Sequence, residues 1–276
     1  MQRTVVVIGE DVGQRNVDRL RQAYPELDFR FHPSREAFVA AVPEADILFT
    51  KSLPAEAIQA ASRLRWVQAG TAGIEAMLAN GLCERREVIL TNARGAHGIP
   101  MAEMVLAMML AFATGLRALI PAQGHKQRVR DQVVRAKFEL HGQTLVIVGL
   151  GDIGGTLAYK AKALGMRVLG VRASQEPFSG IDGQYTPDNL LQILPEADHV
   201  ALCLPLTIAT RKLIGVPELG AMQPSAYIYN VGRGPSIDAE ALLRALREGW
   251  IAGAGLDVTD PEPLPSDSPL WEAPNV

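Results

Sequence analysis

The sequence predicts an α/β protein made of two units of similar design, each a parallel sheet flanked by helices. Two observations carry this. Short apolar, β-branched runs alternate with segments of helical spacing along the chain, which is the pattern of βαβ units. The 276 residues, at roughly 150 per domain, set an expectation of about two domains.

The elements follow in order. Val5-Val6-Val7-Ile8 is a buried strand by its length and β-branching. Val17, Leu20 and Tyr24 then recur at helical spacing. Ala45 to Phe49 is the next strand, and Pro54 to Ala61 opens as a helix with proline in its first turn. Leu64 to Gln68 and Val88 to Leu90 are further strands. A long apolar helix is expected from about Pro100 to Leu119, read as a connector. Its methionines are core or subunit-interface side chains rather than a methionine-rich binding face. Gln123 to Lys137 is basic, but no aromatics interleave the charges, so it is read as a solvated face or loop. The second unit resumes with the strand Thr144 to Val148. Strands are expected at Arg167 to Val171, His199 to Leu204, Ala226 to Asn230 and Ala254 to Val258, with a clear helix at Ala239 to Glu248. The boundary is placed between residues 97 and 98, giving domains 1–97 and 98–276.

Composition narrows the function classes. Hydrophobic residues are 48% and charged residues 21%, which is ordinary for a globular protein and excludes a disordered one. A formal net charge of −3 argues against a dedicated nucleic-acid binder, whose footprint is a basic face. The longest apolar stretch, Met104 to Gly115, is short of the roughly 20 residues a membrane span needs. The only two cysteines, Cys83 and Cys203, make neither a disulfide framework nor a zinc site. Both are read as buried thiols in a reducing compartment. A soluble, cytoplasmic protein without a metal centre is expected.

Gly149-Leu150-Gly151-Asp152-Ile153-Gly154 is a G-x-G-x-x-G run. It follows a five-residue apolar strand and opens a helical pattern, Leu157 to Leu164, which is the context a dinucleotide fingerprint requires. Gly149 permits the tight turn, Gly151 lets the backbone approach a pyrophosphate, and Gly154 permits close helix–strand packing. The helix start, with Asp152 and Ile153, offers free N–H groups to the phosphates. Arg172, 23 residues after Gly149, stands where an acidic side chain would read the ribose 2′-hydroxyl of NAD, and Ser174 follows it. A guanidinium there suits a 2′-phosphate, so NADP(H) is favoured and NAD(H) remains possible. The first unit instead has Gly9-Glu10-Asp11-Val12-Gly13 after its first strand, and acidic side chains there repel a phosphate. That unit is therefore read as facing the substrate. Its Gln68-to-Glu75 turn presents backbone N–H groups to a carboxylate, or is an ordinary strand-to-helix turn. Arg233 and Glu262 each occupy a loop straight after an apolar strand, where ligands of open α/β sheets bind.

Together these segments resemble the D-isomer-specific 2-hydroxyacid dehydrogenase family, in its glyoxylate/hydroxypyruvate reductase-like form. The resemblance rests on Ala72-Gly73-Ile74-Glu75, Thr91-Asn92 with Ala102-Glu103, the glycine run, Cys203-Leu204-Pro205-Leu206-Thr207, Asn230 to Gly234, and Asp257 to Leu264. It implies two Rossmann-like domains, one flavodoxin-like and one dinucleotide-binding, with the active site in the cleft between them. It also implies hydride transfer between a nicotinamide and a small D-2-hydroxy or 2-oxo acid, in a homodimer. By resemblance, Arg233 holds the substrate's carboxylate and carbonyl, and Ala72 and Gly73 supply backbone donors. Leu204, Pro205, Val231, Gly232 and Asp257 line the cofactor, and Glu262 orients a histidine. None of the five histidines present occupies that histidine's place, shortly after a segment like Leu270 to Val276. His97 precedes the connector helix and is read as capping or packing. A strand is expected to open at Asn275-Val276, so the natural chain is expected to continue and to carry the histidine. The alternative reading is a non-catalytic, nucleotide-sensing protein on the same scaffold, like the family's corepressor branch.

Overall fold

The computed structural model describes residues 3–9 and 12–276. Glu10 and Asp11, which carry the expected acidic turn, lie outside the described residues. The chain divides into two compact units, Met1–Ala96 and His97–Val276, one residue earlier than the sequence boundary.

The first unit runs β1 Val5–Ile8, α1 Gln14–Ala23, β2 Asp28–Phe31, α2 Arg35–Ala41, β3 Ile47–Thr50, α3 Ala55–Ala60, β4 Trp66–Ala69, α4 Glu75–Ala79 and β5 Ile89–Thr91. All its strands pair in parallel, in the order β2-β1-β3-β4-β5. This is the flavodoxin-like order. Alternate residues of β1 serve opposite faces, as the strand's period of two requires. Val5 and Val7 pack with Phe38, Leu48 and Val67, while Val6 and Ile8 pack with Val17 and Phe29. Each such side chain, fully buried, contributes roughly 1.5–3 kcal/mol. β2 was not expected from the sequence: Asp28-Phe29-Arg30-Phe31 alternates charge with aromatic, and only Phe29 is buried. α2 was missed as well, although Ser34 caps it by accepting from the Ala37 N–H.

The second unit runs α5 Gly98–Ala113, α6 Leu116–Gly124, α7 Arg130–Ala136, β6 Thr144–Val148, α8 Asp152–Ala163, β7 Arg167–Val171, β8 Gly183–Tyr185, α9 Leu190–Ile193, β9 His199–Leu202, α10 Val216–Ala221, β10 Tyr227–Asn230, α11 Ala239–Glu248 and β11 Gly253–Leu256. Its parallel sheet has the order β11-β10-β9-β6-β7-β8. On one face, Val146, Val148, Val200 and Leu202 meet Leu242, Ala245 and Leu246 of α11. On the other, Leu145, Ile147 and Ala201 meet Val105 and Met109 of α5 and Leu157 and Ala161 of α8. α11 has both ends specified: Asp238 accepts from the Glu240 and Ala241 N–H groups, and Gly249 follows it with φ 71°.

The single connector helix expected from Pro100 to Leu119 is in fact two. Gly115 adopts φ 73°, the Thr114 hydroxyl donates to Leu110 O, and the axis turns by 73° between α5 and α6. Among the described residues no single helix is long and apolar enough to cross a membrane. The basic stretch contains α7, a short helix exposed except at Val133, which packs at Gly115.

His199 is a buried polar side chain of the second unit, with no exposed surface. Nδ1 faces the Tyr229 hydroxyl at 3.1 Å and Nε2 faces Gln143 Oε1 at 2.7 Å. An amide oxygen only accepts, so Nε2 carries the proton and Nδ1 accepts from the tyrosine. Burial lowers the His199 pKa to about 4, from an ordinary value of 6.5. Between those values the unfolded chain binds the extra proton and the folded chain does not. Stability is therefore complete above pH 6.5 and falls as the pH drops toward 4, by up to about 3 kcal/mol. Urea midpoints measured down this range should fall accordingly, and an imidazole NMR titration placing His199 near 6.5 would refute the assignment.

Candidate active site

The nucleotide site is built at the carboxyl end of β6. Gly149 leaves the strand with φ 101°, and a Cβ on it would lie 2.8 Å from Cys203 O. Only glycine fits there, because the β9 loop is pinned alongside by the bond from Cys203 N–H to Val148 O, 2.9 Å. A Cβ on Gly154 would lie 1.9 Å from Gly149 O, so α8 sits directly on the loop. At Gly151, by contrast, a Cβ would meet nothing within 4 Å. Gly155 N–H bonds Gly151 O at 2.8 Å, so the N–H groups of Asp152, Ile153 and Gly154 have no acceptor within the helix. Tight packing behind the loop, open space before it and free donors at the helix start form a cradle that fits a pyrophosphate.

Arg172 follows β7 and is half-buried. Its N–H bonds Tyr185 O on β8 at 3.0 Å, which fixes where the side chain departs. Ser174 is exposed, and its hydroxyl accepts from the Glu176 N–H at 3.2 Å. Leu204 and Pro205 continue from β9, with Leu204 buried.

The loops after β10 and β11 are locked together. Asn230 ends β10, and its side chain accepts from Gly232 N–H at 3.1 Å and donates to Arg233 O at 2.9 Å. Val231 is buried, and Val231 N–H bonds Leu202 O. Arg233 Nη1 donates to Gly232 O at 2.7 Å. A Cβ on Gly234 would fall 1.9 Å from Thr259 O, so the arginine loop lies on the β11 loop. Asp257, exposed, is tied to β10 by its N–H to Asn230 O at 3.0 Å. The structure thus brings Arg233 and Asp257 onto adjoining loops, with the exposed Glu262 three residues beyond Thr259. Asn230 had no role in the sequence reading. An asparagine two residues before a glycine is a local signal for such a clamp, because its side chain bonds the main chain two residues on.

In the first unit, Ala72 and Gly73 lie in the turn after β4. The Thr71 hydroxyl donates to Gly73 O, and Asn92 Nδ2 donates to Ala72 O at 2.8 Å. Among the described residues, the N–H groups of Ala72 and Gly73 meet no protein acceptor. His97 heads α5 without a side-chain capping bond, so the capping alternative does not hold. Cys203, expected buried, is half-buried, and burial of its sulfur raises the thiol pKa to about 12, which makes it inert. Cys83, expected buried, is exposed: it lies in a surface turn, where Sγ contacts Leu78 O.

Residues 106–276 match the family model described as D-isomer specific 2-hydroxyacid dehydrogenase, NAD binding domain. The chain belongs to this family. Glyoxylate reductase of Korarchaeum cryptofilum is 33% identical over 284 residues, spanning 98% of this chain and 83% of that protein. A D-isomer specific 2-hydroxyacid dehydrogenase family protein of Aeromonas salmonicida superposes with a TM-score of 0.87 at 34% identity, covering 100% of this chain and 87% of that one. A Xanthobacter autotrophicus member, solved with NADPH and MES, gives 0.81 at 28%, covering 98% and 85%. As a D-isomer specific 2-hydroxyacid dehydrogenase family member, the protein is an NAD(P)-dependent oxidoreductase with a Rossmann-like nucleotide domain.

Proposed function

We propose that the protein reduces a small 2-oxo acid, of the glyoxylate or hydroxypyruvate kind, to the D-2-hydroxy acid with NADPH. The observation that carries this is Arg233, held by the Asn230 clamp on a loop packed against the one that bears Asp257. The nicotinamide supplies the hydride. Reduction places negative charge on the substrate's carbonyl oxygen, and Arg233 provides a fixed cation for that oxygen and for the carboxylate. The Ala72 and Gly73 N–H groups donate to the carboxylate. Val231, Gly232 and Asp257 line the nicotinamide, and Leu204 and Pro205 border the cofactor. Glu262 orients the histidine that protonates the alkoxide and raises its pKa. We also infer a cytoplasmic homodimer, supported by the exposed apolar Ile99, Met104 and Leu110 of α5.

The test is NADPH oxidation by the protein at neutral pH with glyoxylate, hydroxypyruvate, pyruvate and phenylpyruvate, each repeated with NADH. Turnover of the small acids is expected. Tight cofactor binding with no turnover on any of them would favour the nucleotide-sensing alternative. For cofactor choice, Arg172→Asp should shift the NADPH-to-NADH ratio of kcat/KM toward NADH by about tenfold or more, the scale of a lost charge-assisted bond. An unchanged ratio refutes the assignment.

A further inference from the structure

The loop after β7 is held by a side chain that the cofactor reading leaves unused. Gln184 is half-buried at the centre of β8. Its Oε1 accepts from the Phe178 N–H at 2.7 Å. Its Nε2 donates to Glu176 O at 3.0 Å and to Ser174 O at 3.4 Å. One amide therefore fixes three main-chain points of the segment that follows Arg172. The far end of that segment is anchored too: the Phe178 ring lies over Gly155 in α8, where a Cβ would come within 3.0 Å of Cζ. Between these anchors, residues 173–177 are exposed, so little burial restrains them. An exposed polar loop without the amide would sample many conformations.

We propose that Gln184 is a positioning residue for cofactor choice: its amide presets the loop from Arg172 to Phe178 so that Arg172 and Ser174 meet the 2′ position of the adenosine ribose. This rests on the reading of Arg172 as the group that meets a 2′-phosphate. A preset loop binds without a further ordering cost. NADH lacks the 2′-phosphate and shares every other group with NADPH, so it is the internal control.

The experiment measures Kd for NADPH and NADH by fluorescence titration in Gln184→Ala and Gln184→Met, alone and combined with Arg172→Ala. The methionine variant keeps side-chain length and apolar packing while removing the bonds. NADPH affinity should fall about tenfold with NADH affinity within about twofold, the scale on which one or two hydrogen bonds act. In the Arg172→Ala background the further loss of NADPH affinity should be under about twofold, since both residues act through one contact. Equal weakening of both cofactors, or full additivity with Arg172→Ala, overturns the proposal. If Arg172→Ala shifts the cofactor ratio and the Gln184 variants do not, the role of Gln184 alone fails. If Arg172→Ala leaves the ratio unchanged, the reading of Arg172 fails and the proposal falls with it.

Discussion

Arg233→Ala is expected to lower kcat/KM for 2-oxo acid reduction by about a thousandfold, at the upper end of what removal of one oxyanion-stabilising donor costs. The guanidinium addresses charge that develops in the reaction, so the loss should fall mainly on kcat. NADPH affinity should stay within about twofold, because the cradle at Gly149 to Gly154 is built without Arg233. The Asn230 clamp bonds Arg233 through its main-chain oxygen, which alanine retains. The loop should therefore keep its course. Arg233→Lys keeps the charge but not the planar fork, and should recover only part of the rate. Titration of NADPH by fluorescence beside steady-state kinetics separates the two roles. A large loss of cofactor binding in Arg233→Ala would show the arginine to be structural.

The second large effect is a contrast between two glycines of one motif. Gly154→Ala places a methyl 1.9 Å from a backbone oxygen of Gly149, and neither backbone can yield without moving the strand end. Stability should fall by about 3 kcal/mol, the upper end for overpacking, and dinucleotide binding should be largely lost. Gly151→Ala places its methyl in open space, and Gly151 already has φ −81°, which any residue adopts. Its melting temperature should match the parent's. Its affinity for dinucleotide should nonetheless fall by about tenfold or more, because the methyl occupies the approach of the pyrophosphate to the backbone. Calorimetry and cofactor titration on both variants check this. Unchanged binding in Gly151→Ala would remove that glycine from the site.

What was legible in the sequence was whatever local chemistry dictates. The glycine run, the strand before it and the helix after it stood together between Thr144 and Ala163, and the turn at Gly149 and the close packing at Gly154 have the geometry that type and spacing implied. Long β-branched runs such as Thr144 to Val148 were equally plain. The edge strands β5 and β11 were expected as well, but the edge strands β2 and β8 were not. β2 alternates charge with aromatic, and β8 is the half-buried Gly183-Gln184-Tyr185, so neither carries the apolar signature of a strand buried on both faces. The break between α5 and α6 was hidden because apolar residues continue through it, and only the φ of Gly115 marks it. Gln184 was invisible for a different reason: its partners lie 6 to 10 residues back along the chain, and only the fold brings their main-chain groups to its amide.

The contrast between the two cysteines has a practical consequence for watching this protein in solution. Cys203 is half-buried just after β9 with its thiol pKa raised to about 12, while Cys83 stands exposed on the surface of the first unit. A maleimide dye added to the folded, unmodified protein thus finds one target. The molecule carries its own attachment point for a spectroscopic reporter, with the reactive sulfur in one unit and the dinucleotide cradle in the other.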